Sequence, residues 1–112
     1  MRRGELYRVH WPDGDAKRDR VYLVVSREEF LQRVFSSVVC VPVYSRAIGL
    51  STEVPVGPME GLKHESVLRC DVLTSVGRHV LTQYVGFISS EKMRAVNRAM
   101  ASALDIDGRD LR

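Results

Sequence analysis

The sequence predicts a mainly β fold of the α+β class: a small antiparallel barrel with short helical insertions and one C-terminal helix. Two observations favour this fold. Short runs rich in Val, Leu and Tyr recur along most of the chain, and helical periodicity appears only near its end. The 112 residues, of which 45% are hydrophobic and 28% charged, match one ordinary globular domain. We therefore expect a single domain at residues 1–104 and a polar, fraying tail at residues 105–112.

Three strands are predicted in the first half of the chain. Residues 5–9 alternate polar and apolar side chains, which is typical of a half-buried strand. Residues 20–26 and 37–44 are nearly all apolar, which predicts two buried strands, and Pro42 marks a bulge or an edge in the second. The intervening segments are predicted as a turn (11–15), a charged loop (16–19) and a short helix or irregular stretch (28–34).

The second half alternates strands with turns and ends in a helix. We expect a basic loop at 45–50, a strand at 51–56, a turn at 57–61, and further strands at 65–73 and 83–88. Ser89 offers a helix N-cap, and Glu91 follows in the first turn, where the helix dipole favours an anion. Apolar residues then recur at helical spacing as far as Leu104, so this stripe is expected to pack on the core.

Composition excludes several classes of protein. The apolar content is too high for a disordered chain, and the length is too short for an enzyme with a separate cofactor domain. The N-terminus lacks the apolar stretch of a signal peptide, and no apolar run approaches the length of a membrane span, so we expect a cytoplasmic protein. Cys40 and Cys70 lie within apolar runs and are expected to be reduced, buried thiols rather than metal ligands.

The positive charge is small and rich in arginine. The net charge is +3, and 14 of the 17 cationic residues are Arg. Arginine suits bidentate contact with phosphate or carboxylate, although genomic base composition is the simpler explanation for its excess. Residues 1–46 carry nine cations and six anions, so the surplus lies in the first half of the chain.

Known short catalytic motifs are absent from the sequence. It contains no Walker loop, dinucleotide fingerprint, G-x-S-x-G or H-E-x-x-H. Three histidines are present, His10, His64 and His79, and a ribonuclease of the two-histidine type would need the fold to bring two of them together. Partly exposed or capping histidines are more common, and the sequence leaves the alternatives open.

Two strand ends carry side chains suited to chemistry. Arg20 opens a buried strand directly after the charged loop, so its backbone is held while its guanidinium reaches solvent. Tyr44, Ser45 and Arg46 close the next buried strand and offer two hydroxyls and a guanidinium. Surface arginines commonly flank strands, so neither place is specific by itself.

Taken together, these segments resemble the MazF/PemK toxins, the ribonuclease components of bacterial toxin–antitoxin pairs. The resemblance extends over residues 2–104 and rests on the order and spacing of the segments, because no single motif is specific. The similar segments are RRGELY (2–7), RVYLVVS (20–26), VPVYSR (41–46), TEV (52–54), GLxxESV (61–67) and GFIS (86–89).

The resemblance implies an SH3-like barrel that forms a homodimer and cleaves single-stranded RNA at a short motif, without a metal or other cofactor. It implies catalytic roles for Arg20 and for the position that follows Val-Pro-Leu in the family. That position is Thr in the family and Tyr44 here, with Ser45 next in the chain. The sequence also departs from the family at Val21, where the family has Pro, and in the segment DVLT (71–74), which lacks the family's Gln and Arg.

The chemistry implied for these residues starts from attack of the 2′-hydroxyl on the phosphorus. Arg20 would stabilise the negative charge of the transition state. Ser45 or the Tyr44 phenol would hold the scissile phosphate, or Tyr44 would stack on a base. Candidate general bases are His10 and Asp19. Candidate RNA-binding residues are Trp11, Lys17, Arg18 and Arg46.

The expected protein partner is a cognate antitoxin, typically an acidic flexible segment that folds on binding. Two other functions remain open at the level of sequence. One is a non-catalytic toxin of the same fold that binds a protein target such as gyrase. The other is an RNA-binding barrel that has lost cleavage, which the change at Tyr44 would mark.

Overall fold

The structure is a computed structural model that describes residues 1–10, 20–33 and 36–112. The described part contains seven strands and two α-helices. They are β1 (Glu5–Val9), β2 (Arg20–Val24), α1 (Glu28–Leu31), β3 (Ser37–Tyr44), β4 (Glu53–Val56), β5 (Ser66–Arg69), β6 (Thr74–Gly77), β7 (Leu81–Phe87) and α2 (Ser90–Ala103). Single 3₁₀ turns occupy Pro58–Glu60, Arg78–Val80 and Gly108–Leu111.

All strand pairs are antiparallel, in the order β4-β5-β3-β2-β1-β7, and β6 also pairs with β3. No pairing within the described strands joins β4 to β7, so the sheet is barrel-like and open. The predicted fold class, an antiparallel barrel with short helical insertions and a C-terminal helix, is confirmed.

Strand β3 is the centre of the sheet because it pairs with three other strands. One edge pairs with β2. The other edge pairs with β6 through residues 37–40 and with β5 through residues 43 and 44. Pro42, which has no N–H to donate, lies where the second edge changes partner. The irregularity predicted at this proline is therefore a change of partner inside the sheet.

Several predicted boundaries differ from the structure. The strand expected at 65–73 ends at Arg69 as β5, a turn begins at Cys70, and the following strand β6 was not predicted. Strand β4 begins at Glu53 rather than at residue 51. The Glu53 carboxylate accepts hydrogen bonds from the backbone N–H groups of residues 48, 49 and 50, which fold against this side chain as a loop. Strand β7 begins at Leu81, two residues before the predicted start at residue 83. The C-terminal tail, which was predicted to fray, contains a 3₁₀ turn capped by Asp107.

Two apolar clusters lie on opposite faces of the sheet. The larger includes Leu23, Val41 and Leu68 and packs against Val96 and Ala99 of helix α2. The smaller is built from β1, β2, β3, β6, β7 and α1. Strand β3 sends Val41 and Val43 into one cluster and Val38 and Cys40 into the other, as expected for alternation along a strand. This explains why its sequence is an almost continuous apolar run.

The N-terminus of α2 and both thiols are as predicted. The Ser89 hydroxyl accepts a hydrogen bond from the backbone N–H of Lys92 at 3.1 Å. Cys40 and Cys70 are buried free thiols, and burial raises the pKa of Cys40 to about 12 and that of Cys70 to about 11. None of the helices in the described residues is long and apolar enough to cross a bilayer.

Two glycines hold the segment before β5 against β7. Gly61 has a left-handed φ of 95°, and a Cβ added there would lie 2.3 Å from the carbonyl oxygen of Val85. A Cβ on Gly86 would lie 2.0 Å from the carbonyl oxygen of Glu60. Because both neighbouring atoms belong to the backbone, no rotamer change relieves the clash. This contact sets the position of the loop at residues 61–65, which reaches the site described below.

We expect Gly86→Ala to destabilise the protein by about 3 kcal/mol or more, since overpacking against backbone cannot relax by side-chain movement. The measurement is urea unfolding followed by circular dichroism. Gly108→Ala is the control, because a Cβ at that glycine meets no atom within 4 Å. Equal stability of the two variants would contradict the close contact between Gly86 and the backbone carbonyl of Glu60.

The raised thiol pKa values predict that neither cysteine reacts in the folded protein at pH 8, because the reactive species is the thiolate. Titration with an aromatic disulfide reagent should label no thiol before unfolding and both after it. Unfolded thiols ionise near pH 8.5, so folding stability should fall as the pH rises above that value. Rapid labelling of one thiol in the native protein at pH 8 would show that burial is incomplete.

Candidate active site

A groove of about 540 Å³ opens where β1 ends and β2 begins, beside the end of β3 and the loop before β5. Its floor is apolar and includes Val21 and Val43. The charged and titratable side chains that line it are Arg8, His10, Arg20, Lys63 and His64, together with the hydroxyls of Ser45 and Ser66. A second opening of about 420 Å³ shares Arg8, His10 and Lys63, so the surface continues along β1 towards β7.

Arg20 is fixed at the mouth of the groove by two contacts with β3. Its Nη1 donates a hydrogen bond to the carbonyl oxygen of Val43 at 3.0 Å. Its guanidinium carbon lies 4.0 Å from the centre of the Tyr44 ring. The register of the two strands, in which Tyr22 pairs with Pro42, explains the second contact because it aligns Arg20 with Tyr44 on one face. The sequence predicted that the backbone of this arginine would be held and its guanidinium free to reach solvent, whereas both of these contacts are made by the guanidinium itself.

The Tyr44 ring contacts a second arginine. The guanidinium carbon of Arg69, on β5, lies 5.1 Å from the ring centre. Arg69 is held in turn by two parallel hydrogen bonds to Asp71, at 2.9 and 2.8 Å. These bonds lower the pKa of Asp71 and raise that of Arg69. Arg69 was not among the residues predicted for the site, although its position two residues before Asp71 was a usable signal.

Only one of the two adjacent hydroxyl residues belongs to the groove. Ser45, directly after the end of β3, lines the groove, whereas Tyr44 is not among the residues that line it. Arg46 is exposed and also lies outside the described groove lining.

The groove brings together two of the three histidines. His10 lies just after β1, and its Nε2 is 2.8 Å from the side-chain oxygen of Gln83 on β7. His64 lies in the loop before β5, where the Ser66 hydroxyl donates a hydrogen bond to its backbone carbonyl at 3.0 Å. His79 is on the 3₁₀ turn after β6, away from this groove.

Four groove residues were not assigned a role from sequence, although one of them was considered as a member of a histidine pair: Arg8, Lys63, His64 and Ser66. The last three belong to the segment 61–67, which carried part of the family resemblance. Four residues that were selected, Trp11, Lys17, Arg18 and Asp19, lie outside the described residues.

The groove is cationic. Three permanent cations line it, and no carboxylate does so among the described residues. The surface therefore favours a ligand with closely spaced negative charges, such as the phosphates of a nucleic acid strand.

Comparison with known proteins identifies the family. The family model of PemK-like, MazF-like toxins of type II toxin–antitoxin systems matches residues 2–104. The chain belongs to this family. Among curated MazF-like relatives, the endoribonuclease MazF3 of Mycobacterium tuberculosis is 30% identical over 88 residues, which cover 79% of this chain and 84% of the relative.

Solved structures of the MazF-like family have the same fold. The M. tuberculosis toxin MazF-mt6 is 25% identical, with a TM-score of 0.80, over 92% of this chain and 98% of the toxin. A mycobacterial endoribonuclease in complex with its cognate antitoxin is 26% identical, with a TM-score of 0.78, over 96% and 97% of the two chains. The family resemblance predicted from sequence is confirmed.

The contact between Arg20 and Tyr44 predicts a measurable coupling. In a double-mutant cycle on urea unfolding, Arg20→Ala and Tyr44→Ala should show an interaction energy of about 0.5–1 kcal/mol. Tyr44→Phe should retain it, because the ring and not the hydroxyl contacts the guanidinium. The pair Arg46→Ala and Tyr44→Ala is the control and should be additive. A coupling lost in Tyr44→Phe would show that the hydroxyl carries the interaction.

Proposed function

We propose that this chain is the toxin of a type II toxin–antitoxin system and an endoribonuclease that cleaves single-stranded RNA at a short motif without a metal. The observation that carries the proposal is the cationic groove around Arg20 in a MazF-like family member. Two relatives named as endoribonucleases, 30% and 26% identical to this chain, support the same activity.

Arg20 stabilises the transition state. The 2′-oxygen attacks the phosphorus and the bond to the 5′-oxygen breaks, which leaves a 2′,3′-cyclic phosphate and a 5′-hydroxyl. Negative charge builds on the two non-bridging oxygens during this step. The bond to Val43 uses one of the five N–H donors of the guanidinium, so other donors can reach both oxygens. An anchored guanidinium needs little reorganisation as the charge develops.

Ser45 and His10 complete the first half of the reaction. Ser45 presents an exposed hydroxyl to the groove and donates a hydrogen bond to the scissile phosphate. His10 accepts the proton of the 2′-hydroxyl as general base, with its ring oriented by Gln83. Asp19 is the second candidate for this base. Tyr44 acts on Arg20 through its ring.

Four further residues bind the RNA on either side of the cleaved bond. A base stacks on Trp11, and Lys17, Arg18 and Arg46 pair with phosphates. Arg46 follows Ser45 directly and is exposed, which supports such a role.

The partners and the compartment follow from the same proposal. The chain forms a homodimer and is held inactive by a cognate antitoxin whose acidic segment covers the basic groove. The similar endoribonuclease solved with its cognate antitoxin supports this partner. The toxin acts in the cytoplasm, where its RNA substrates are.

The test is incubation of the purified protein with a broad panel of single-stranded RNAs in EDTA. We expect cleavage that yields 5′-hydroxyl ends, and a rate about 10²–10³-fold lower for Arg20→Ala, as for loss of a transition-state donor. Arg109→Ala in the C-terminal 3₁₀ turn is the control that removes the same charge and keeps full activity.

Absence of cleavage on the whole panel, or full activity of Arg20→Ala, would overturn the proposal. Salt-sensitive binding of intact RNA would instead indicate an RNA-binding barrel. Toxicity that survives Arg20→Ala and Ser45→Ala but is lost on changes around Met100 would indicate a toxin that binds a protein.

A further inference from the structure

The groove holds a second imidazole besides His10. We infer that His64 is a catalytic residue, the general acid that protonates the 5′-oxygen as it leaves, so that His10 and His64 act as a pair. The inference rests on the proposed function. Its basis is that two histidines 54 positions apart in sequence line one groove with Arg20.

The backbone that carries His64 is fixed, while its side chain is exposed. The loop at residues 61–65 starts at Gly61, whose close contact with β7 leaves no room for a side chain. Leu62 then inserts into the core, with 7% of its surface exposed. On the other side, the Ser66 hydroxyl binds the carbonyl oxygen of His64. This support fixes the backbone of His64 beside the groove, and the exposed imidazole is accessible to a substrate bound there.

The other charged side chains that line the groove with His64 in the described structure are all cationic. Arg8 projects from β1, Arg20 from β2 and Lys63 from its own loop. Its neighbour Glu65 points elsewhere, into a separate cavity that it lines with Lys92. The Glu65 carboxylate lies within 3.0 Å of the point that a Cβ on Gly57 would occupy. No described carboxylate of the groove therefore competes with the phosphate or with the two imidazoles for a proton.

Imidazole is the side chain that enzymes use most often as a general acid or base. Among the described groove residues, His10 and His64 carry this group, whereas the others carry guanidinium, ammonium, hydroxyl or apolar side chains. A phosphate bound to Arg20 also has two proton transfers to complete, one at the 2′-oxygen and one at the 5′-oxygen. The groove therefore holds two imidazoles for the two proton transfers of the reaction.

The step balances with these two residues alone. The proton of the 2′-hydroxyl moves to His10 as the new bond between the 2′-oxygen and phosphorus forms. The bond between phosphorus and the 5′-oxygen breaks, and the proton of His64 moves to that oxygen. The products are the 2′,3′-cyclic phosphate and the 5′-hydroxyl, and proton exchange with water resets both imidazoles.

The test compares His64→Gln with His79→Gln, a histidine outside the groove. We expect His64→Gln to lower kcat for RNA cleavage by about 10²–10⁴-fold with little change in KM, and His79→Gln to match the wild type. The wild-type kcat/KM should show a bell-shaped pH dependence. Loss of the acid in His64→Gln should remove the decline at high pH, and loss of the base in His10→Gln should remove the decline at low pH.

A substrate with sulfur in place of the 5′-oxygen at the cleaved bond separates the two roles, because a thiolate leaves without protonation. This substrate should restore cleavage by His64→Gln to within about tenfold of the wild type, and should not restore His10→Gln. Normal kcat in His64→Gln, or failure of the sulfur substrate to rescue it, would overturn the inference. Failure of the proposed function is distinct, because the wild type itself would then cleave neither substrate.

Discussion

The pairing of β3 with three neighbouring strands is the constraint on which the groove depends. The Val43 carbonyl of β3 anchors Arg20, and the Tyr44 ring supports the guanidinium. Ser45, directly after the strand, lines the groove. The alternation of buried side chains along β3 sets these positions. A slip of one residue in this register would move Tyr44 away from Arg20 and would also turn Val41 and Val43 out of the core. Burial of the apolar core and alignment of the site are thus enforced by the same register.

Much of the fold could be predicted because local sequence patterns determine several of its strands and its C-terminal helix. Alternation at β1, the apolar runs of β2 and β3 and the Ser89 cap each specify an element without knowledge of the rest. The end of β5 at Arg69 and the separate strand β6 were missed, since the turn that begins at Cys70 contains neither Gly nor Pro. The candidate site was half predicted for a related reason. Arg20 and Ser45 are conspicuous at strand ends, whereas Arg8 and His64 join them only through contacts between distant segments.

A net charge of +3 does not by itself produce a cationic groove. The groove is cationic because several acidic side chains form hydrogen bonds or ion pairs elsewhere in the structure. Glu53 caps the loop before β4, Asp71 binds Arg69, and buried Glu60 pairs with Lys92 at 3.0 Å. Each carboxylate is held by donors of its own neighbourhood, so the groove cations are left without described acidic partners. The local field on a phosphate therefore exceeds what the overall composition indicates.

The replacement of the family's threonine by Tyr44 becomes intelligible from this arrangement. A phenol ring is too large to take the place of a threonine hydroxyl, but it offers a flat face on which a guanidinium can rest. Arg20 occupies that position at 4.0 Å, and Arg69, neutralised by Asp71, also lies over the ring. The groove hydroxyl is one residue later, at Ser45. In the proposed mechanism, Tyr44 supports the arginine and Ser45 contacts the phosphate, and this division is compatible with cleavage because both residues lie at the same strand end.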